Sequence, residues 1–218
     1  MSRLCLATAC ALALAGCGND GGGTVTDAAV DAPTDAAIDA AIDAPTGPLT
    51  LTSSVLAEGA AFPVDYTCNG ANESPPMTFT NAPVGTLSFA VTLTDVTNGL
   101  VHWAIYDIPA LHPSLPEDVD KTYEPTDVPG AHQTKSFNAQ VTGYQGPCPP
   151  AMHMYTLTLY ALDVATLPGT DVTTTRAQVQ ALAAMHQVGM ATLDGTYTPP
   201  AMARGPGGPR PEAGAIEP

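Results

Sequence analysis

From Gly18 to Pro48 the chain is almost entirely Gly, Ala, Asp, Thr and Pro, a composition with little to bury. Asp recurs at Asp27, Asp31, Asp35, Asp39 and Asp43, every fourth residue. A helix would line these carboxylates along one face, where like charges repel. Gly21 to Gly23, Pro33 and Pro45 oppose a helix further. Without aromatic side chains the segment cannot offset the entropy of ordering, so disorder is expected. The Asp series also lacks the turn glycines that an oxygen cage for calcium needs between its ligands. Flexible chain of about 30 residues has a root-mean-square reach of roughly 30 Å. Folding is therefore confined to the chain beyond Pro48. Residues 49–198 are long enough for one domain that buries most of its unfolded surface. The segment 199–218, rich in Pro and Gly, reads as a frayed tail.

Residues 1–16 have the layout of a secretory signal peptide. Arg3 gives the positive start, and Leu4 to Leu14 is an apolar run too short to span a bilayer. The sequence Leu14-Ala15-Gly16-Cys17 resembles the bacterial lipobox. That resemblance implies a diacylglycerol on the Cys17 thiol, cleavage before it and acylation of the new amine. Residues 17–48 then form a lipidated cysteine with its stalk, and two or more acyl chains give stable anchoring. Gly18 after the cysteine, rather than Asp, resembles the Gram-negative signal for the outer membrane. The expected location is the cell envelope, with the domain facing the periplasm or the cell surface.

The net charge is −15, and the only basic residues between 49 and 198 are Lys121, Lys135 and Arg176. Sequence-independent nucleic-acid binding needs clustered cations. Attraction to anionic lipid through a basic patch needs the same. Neither has a basis here.

Within the domain, Leu49 to Thr52 alternates apolar and polar residues, as a half-buried strand does. Leu87 to Thr94 reads the same way, and Val101 to Ile108 and Met154 to Leu162 are two more strands. Thr173 to Thr175 offer N-caps for a helix carrying Val179, Leu182, Ala183 and His186 at helical spacing. Gly189 is placed to stop that helix, and Met190 to Tyr197 to return as a last strand. Many strands with one late helix predict a mainly β, α+β domain built as a β-sandwich.

The candidate chemistry lies at Asp95, at His102 in VHWAIYDIP, and in Gly143-Tyr144-Gln145-Gly146-Pro147-Cys148-Pro149-Pro150 with His153 and Tyr155 after it. Together with Thr67-Cys68-Asn69-Gly70, Ser74-Pro75-Pro76, LYALD, His186 and Gly195-Thr196-Tyr197, this order resembles the phosphatidylethanolamine-binding, or Raf kinase inhibitor-like, family in its bacterial branch. The resemblance covers nearly the whole domain. It implies an antiparallel β-sandwich with a late helix and a small pocket for phosphate-type anions. Asp95 matches the first acid of the family's Asp-Pro-Asp-x-Pro motif, His102 the pocket histidine, and His153 and Tyr155 the outer members of a His-Arg-Tyr triplet. Val96 to Gly99 replace the rest of the acidic motif and Met154 stands in place of Arg, so an altered mouth is expected. Read as chemistry, imidazole N–H groups and a Tyr hydroxyl can donate to an anion. Asp95 can hold one histidine in a single tautomer. Glycine in 143–146 can let backbone amides approach a ligand. The candidate ligand-binding set is Asp95, His102, Gly146, Pro147, His153 and Tyr155. His186 reads first as a helix-packing residue, and His112 and His132 as loop residues without a role.

Other chemistries are less well supported. Two histidines and Asp95 could ligate a metal, but no helical His spacing or second carboxylate backs that. There is no Gly-x-Ser-x-Gly nucleophile, and a Cys148–His153 thiol pair competes with another fate for the cysteine. Cys68 and Cys148 are an even pair once Cys5, Cys10 and Cys17 are set aside, so a disulfide is expected in an oxidising compartment. Two buried free thiols are the alternative. The expectation is therefore a non-enzymatic binding protein without cofactor or metal. Its partners would be a small phosphorylated or other anionic ligand, such as a phospholipid headgroup, the membrane through the anchor, and a second copy if it dimerises. The alternative is an inhibitor of an extracytoplasmic kinase or protease.

Overall fold

The computed structural model describes residues 47–200. The signal peptide, Cys17, most of the stalk and the tail from 201 lie outside the described residues. In chain order the strands are β1 (Thr50–Thr52), β2 (Ala60–Ala61), β3 (Met77–Thr80), β4 (Ser88–Asp95), β5 (Leu100–Pro109), β6 (Ser114–Leu115), β7 (His132–Gln133), β8 (His153–Leu162) and β9 (Gln187–Tyr197). A 3₁₀ turn spans Val64–Tyr66, and helix α1 spans Arg176–His186. The order β1-β3-β6 makes one sheet and β2-β9-β8-β4-β5-β7 the other. All pairs are antiparallel except β2 with β9. The mainly β fold with a late helix agrees with the sequence.

Two apolar layers hold it. Between the sheets, Leu51 and Phe79 meet Phe89, Val91, Leu93, Trp103, Ile105, Leu157 and Leu159. On the opposite face of the larger sheet, Ala90, Ala104, Tyr106, Tyr160 and Leu162 are covered by Leu167 and by Val179 and Ala183 of α1. This second cover explains a difference from the sequence reading. Strand β4 is not half-buried: both of its faces are inside, and only Thr94 is partly exposed. Small residues on the helix-facing side, Ala90 and Ala104, let the helix come close.

Thr175 caps α1. Its hydroxyl accepts from Gln178 N, and the Gln178 side chain returns to the Thr175 N–H. Val179 and Ala183, four residues apart, form the buried stripe. His186 ends the helix with Nδ1 3.0 Å from Asp163 Oδ1, so it docks the helix end on the end of β8. Gly189 does not stop the helix. Gln187 is already extended, and Gly189 lies within β9 opposite Ala161. A Cβ there would come within 2.7 Å of Pro83 Cγ, so close packing against the β3–β4 connection asks for the glycine.

His132 is likewise not a loop residue. It lies in β7, with Nδ1 3.1 Å from Oδ2 of buried Asp107 and its ring between those of Tyr106 and Tyr123. Burial raises the Asp107 pKa, against the opposing effects of the Leu167 N–H and His132. Among the described residues, no helix is long and apolar enough to cross a membrane.

Candidate functional site

The pairing of β4 with β8 sets Asp95, the last residue of β4, opposite Tyr155. His153 and Tyr155 are two apart on β8 and so face the same way. His153 Nδ1 lies 2.6 Å from Asp95 Oδ2, with side chains 16% and 2% exposed. An ionised carboxylate only accepts, so Nδ1 carries the hydrogen and the neutral ring has a bare Nε2. The other Asp95 oxygen accepts from Thr97 N at 3.0 Å, and Gly99 N donates to Asp95 O at 2.8 Å. The Thr97 hydroxyl in turn accepts from Met154 N at 2.9 Å. Val96 to Gly99, which replace the rest of the acidic motif, thus form a tight turn that fixes the start of β8. Gly99 takes φ +77°, which a glycine adopts without strain.

His102 enters from β5. Its Nδ1 lies 3.2 Å from Gly146 O and 3.3 Å from Gln145 O. Carbonyls cannot donate, so this Nδ1 is also protonated. Burial lowers the His102 pKa below its ordinary value, and nearby Arg176 adds to that. The two carbonyls and the Asp95 charge oppose it. The His102 ring meets Tyr155 edge-on with centroids 5.4 Å apart, and His153 lies 6.4 Å from Tyr155 with ring planes 28° apart. The Tyr155 hydroxyl is buried near Asp95 and the Cys148 backbone but makes no hydrogen bond of good geometry to either. Its pKa is raised, first by burial and then by the Asp95 charge, so it stays protonated.

The structure thus brings Asp95, His102, His153 and Tyr155 into one cluster. Gly146 and Pro147 stand behind it and hold it. The Gly146 N–H does not face a ligand but donates to Asn72 Oδ1 at 2.8 Å, and Gly143 N donates to Thr134 O at 2.9 Å. The amides of the two glycines in this segment are therefore already engaged. Gly146 is needed for packing, since a Cβ would fall 2.1 Å from Tyr66 O. Pro147 O accepts from Cys68 N at 3.1 Å. Beside it a disulfide joins Cys68 to Cys148, with Cα atoms 5.3 Å apart.

The cluster is largely enclosed, and His153 is its most exposed member. Asp95, His102 and Tyr155 are all buried. Phe137 covers His102, with ring centroids 4.5 Å apart. Sequence reasoning missed Phe137, Asn72 and Arg176. Phe137 carried a signal, being the lone aromatic in the polar stretch from Gln133 to Thr142. Arg176 carried another, as one of three cations in an acidic domain.

The fold is a two-layer β-sandwich with His102, His153, Asp95 and Tyr155 gathered at one end of its central strands. The phosphatidylethanolamine-binding protein family model matches residues 52–198. A UPF0098 protein of Chlamydia pneumoniae is 35% identical over 161 residues, 68% of this chain and 98% of that protein. LppC of Mycobacterium tuberculosis, described as a lipoprotein, is 36% identical over 193 residues, 85% of this chain and 90% of that one. The crystal structure of Escherichia coli YbcL, described as a member of the mammalian PEBP family, superposes with a TM-score of 0.64. It is 28% identical and covers 70% of this chain and 99% of its own. The chain belongs to the phosphatidylethanolamine-binding protein family. Members of that family are generally binding or regulatory proteins.

Proposed function

We propose that the protein is a lipid-anchored, non-enzymatic binding protein of the cell envelope that holds a small anion, such as a phosphorylated headgroup, at His102, His153 and Tyr155. The observation that carries this reading is the state of the two imidazoles. Each spends its Nδ1 hydrogen on a protein acceptor, which leaves Nε2 as the remaining polar atom of the ring. A neutral ring offers only a lone pair there, whereas a protonated ring offers a donor. Tyr155 adds a donor whose hydrogen is kept at any ordinary pH. The two histidines thus make anion binding conditional on protonation. Asp95, with one oxygen held by His153 and the other by Thr97, fits a positioning role better than that of a nucleophile.

Calorimetry with sulfate, which does not titrate in the window, tests this from pH 5 to 8. A bound anion favours the charged imidazole, so affinity should be greatest at low pH and fall as pH rises through the raised pKa of the complex. Binding on the order of millimolar corresponds to about −4 kcal/mol. His153→Ala and His102→Ala should flatten the profile. A pH-independent affinity that both variants leave unchanged would sink the reading. The anchor rests on the lipobox and on the likeness to LppC. A labelled fatty acid should tag the wild type and not Cys17→Ala.

A further inference from the structure

A cavity of about 510 Å³, with Phe137 in its wall, lies between the loop after β7 and the residues leading into α1. That volume is within the range of small-molecule sites. Phe137, Ala139 and Val172 line it, so part of its wall is apolar, and Val172 is 59% exposed. Lys135 and Arg176 line it too. These are two of the three basic residues between 49 and 198, in a domain whose acids outnumber them. Two thirds of the domain's fixed positive charge is therefore gathered at one concave place.

The state of Arg176 sharpens this. Its Nε donates to Val101 O at 2.6 Å, and its Nη1 donates to Lys135 O at 2.6 Å and to Ser136 O. All three acceptors are carbonyls. Among the described residues, neither Arg176 nor Lys135 forms an ion pair with a carboxylate. Carbonyl dipoles hold the guanidinium in place but leave its charge uncompensated, and desolvating such a charge is unfavourable. The capping box at the start of α1 occupies the Gln178 and Thr175 N–H groups, so neither of these is offered to the cavity.

We infer that this cavity is a binding site for a small anion that carries an apolar body, with Lys135 and Arg176 meeting the charge and Phe137, Ala139 and Val172 meeting the body. The site is separate from the histidine cluster and stands whether or not that cluster binds anions. Phe137 is the wall the two places share.

NMR titration of the full domain distinguishes the two. The probes are benzenesulfonate, methanesulfonate as the charge alone, and benzyl alcohol as the body alone. Benzenesulfonate should shift the amides of Phe137 to Ala139 and Val172 to Thr174. It should bind at least tenfold more tightly than either fragment. Lys135→Glu and Val172→Asp, both at exposed positions and therefore safe for folding, should each weaken it at least tenfold. His153→Ala should not. Benzenesulfonate affinity no better than that of the fragments, or unchanged in both cavity variants, overturns the inference. Shifts confined to His153 and Tyr155 overturn it too. A wild type that binds benzenesulfonate at these residues but does not bind sulfate supports the cavity and removes only the histidine reading.

Discussion

The ring of Phe137 lies 4.5 Å from the imidazole of His102 and covers it, although the two residues come from different parts of the chain. Since burial is the largest cause of the lowered His102 pKa, uncovering the ring should raise it toward the ordinary value near 6.5. Phe137→Ala should therefore raise the titration midpoint of His102, followed by its ring proton resonances, and tighten sulfate several-fold near pH 6. Phe137 is only partly buried, so the loss of stability should be about 1–3 kcal/mol, below that of a fully buried Phe→Ala change. An unmoved midpoint would mean that the ring does not shield His102.

Asp95 serves two donors at once, His153 Nδ1 and Thr97 N. Asp95→Ala strands both and should destabilise the domain by about 2 kcal/mol or more in urea denaturation. His186→Ala removes a pair whose carboxylate, Asp163, is 55% exposed, and the expected loss is about 0–1 kcal/mol. Similar losses for the two variants would contradict the burial argument.

The lowered pKa of His102 also fixes a sign for stability. The unfolded chain protonates this imidazole near pH 6.5, while the folded domain resists doing so. Its contribution is complete above about pH 6.5 and is lost as pH falls toward the lower folded-state value. Melting temperature should drop across that interval in the absence of anions. His102→Gln should remove that part of the slope, and an equal slope in the variant would assign it to other groups.

Gly146→Ala places a methyl group where Tyr66 O stands, 2.1 Å away, and a backbone atom cannot swing aside. Loss of the folded domain, or a drop of several kcal/mol, is expected. Gly59→Ala is the control: a Cβ there meets nothing within 4 Å, so its cost is the strain of φ +71° alone. Circular dichroism melts of both variants make the comparison.

Much of the site was legible because strand ends are legible. Asp95, His102, His153 and Tyr155 sit at the ends of long patterned strands, and pairing of β4 with β5 and β8 necessarily gathers them. Loop geometry was not. Phe137 covers the cluster through a loop conformation that no periodicity encodes. The glycines misled for a related reason. Gly189 and Gly146 are needed for what approaches from outside their own segment, Pro83 in one case and the Tyr66 carbonyl in the other. A local motif reading sees only the freedom a glycine has, not the neighbour that needs the space. His132 looked idle because its partner Asp107 lies 25 residues away on another strand.

The bond from Cys68 to Cys148 spans 80 residues of sequence, and it imposes an order on maturation. During synthesis the second sulfur emerges only after β1 to β7 have already been made. Until an oxidant joins the pair, the segment whose carbonyls orient His102 is held by non-covalent contacts alone, among them Tyr144 Oη to Tyr66 O and Gly146 N to Asn72 Oδ1, each at 2.8 Å. In the chain-entropy picture, closure of such a loop adds about 4.5 kcal/mol at most. On the proposal that the protein is exported and binds an anion, a newly made chain still in a reducing compartment would hold this segment without its covalent tie, and the full rigidity of the site would be a product of where the chain has travelled.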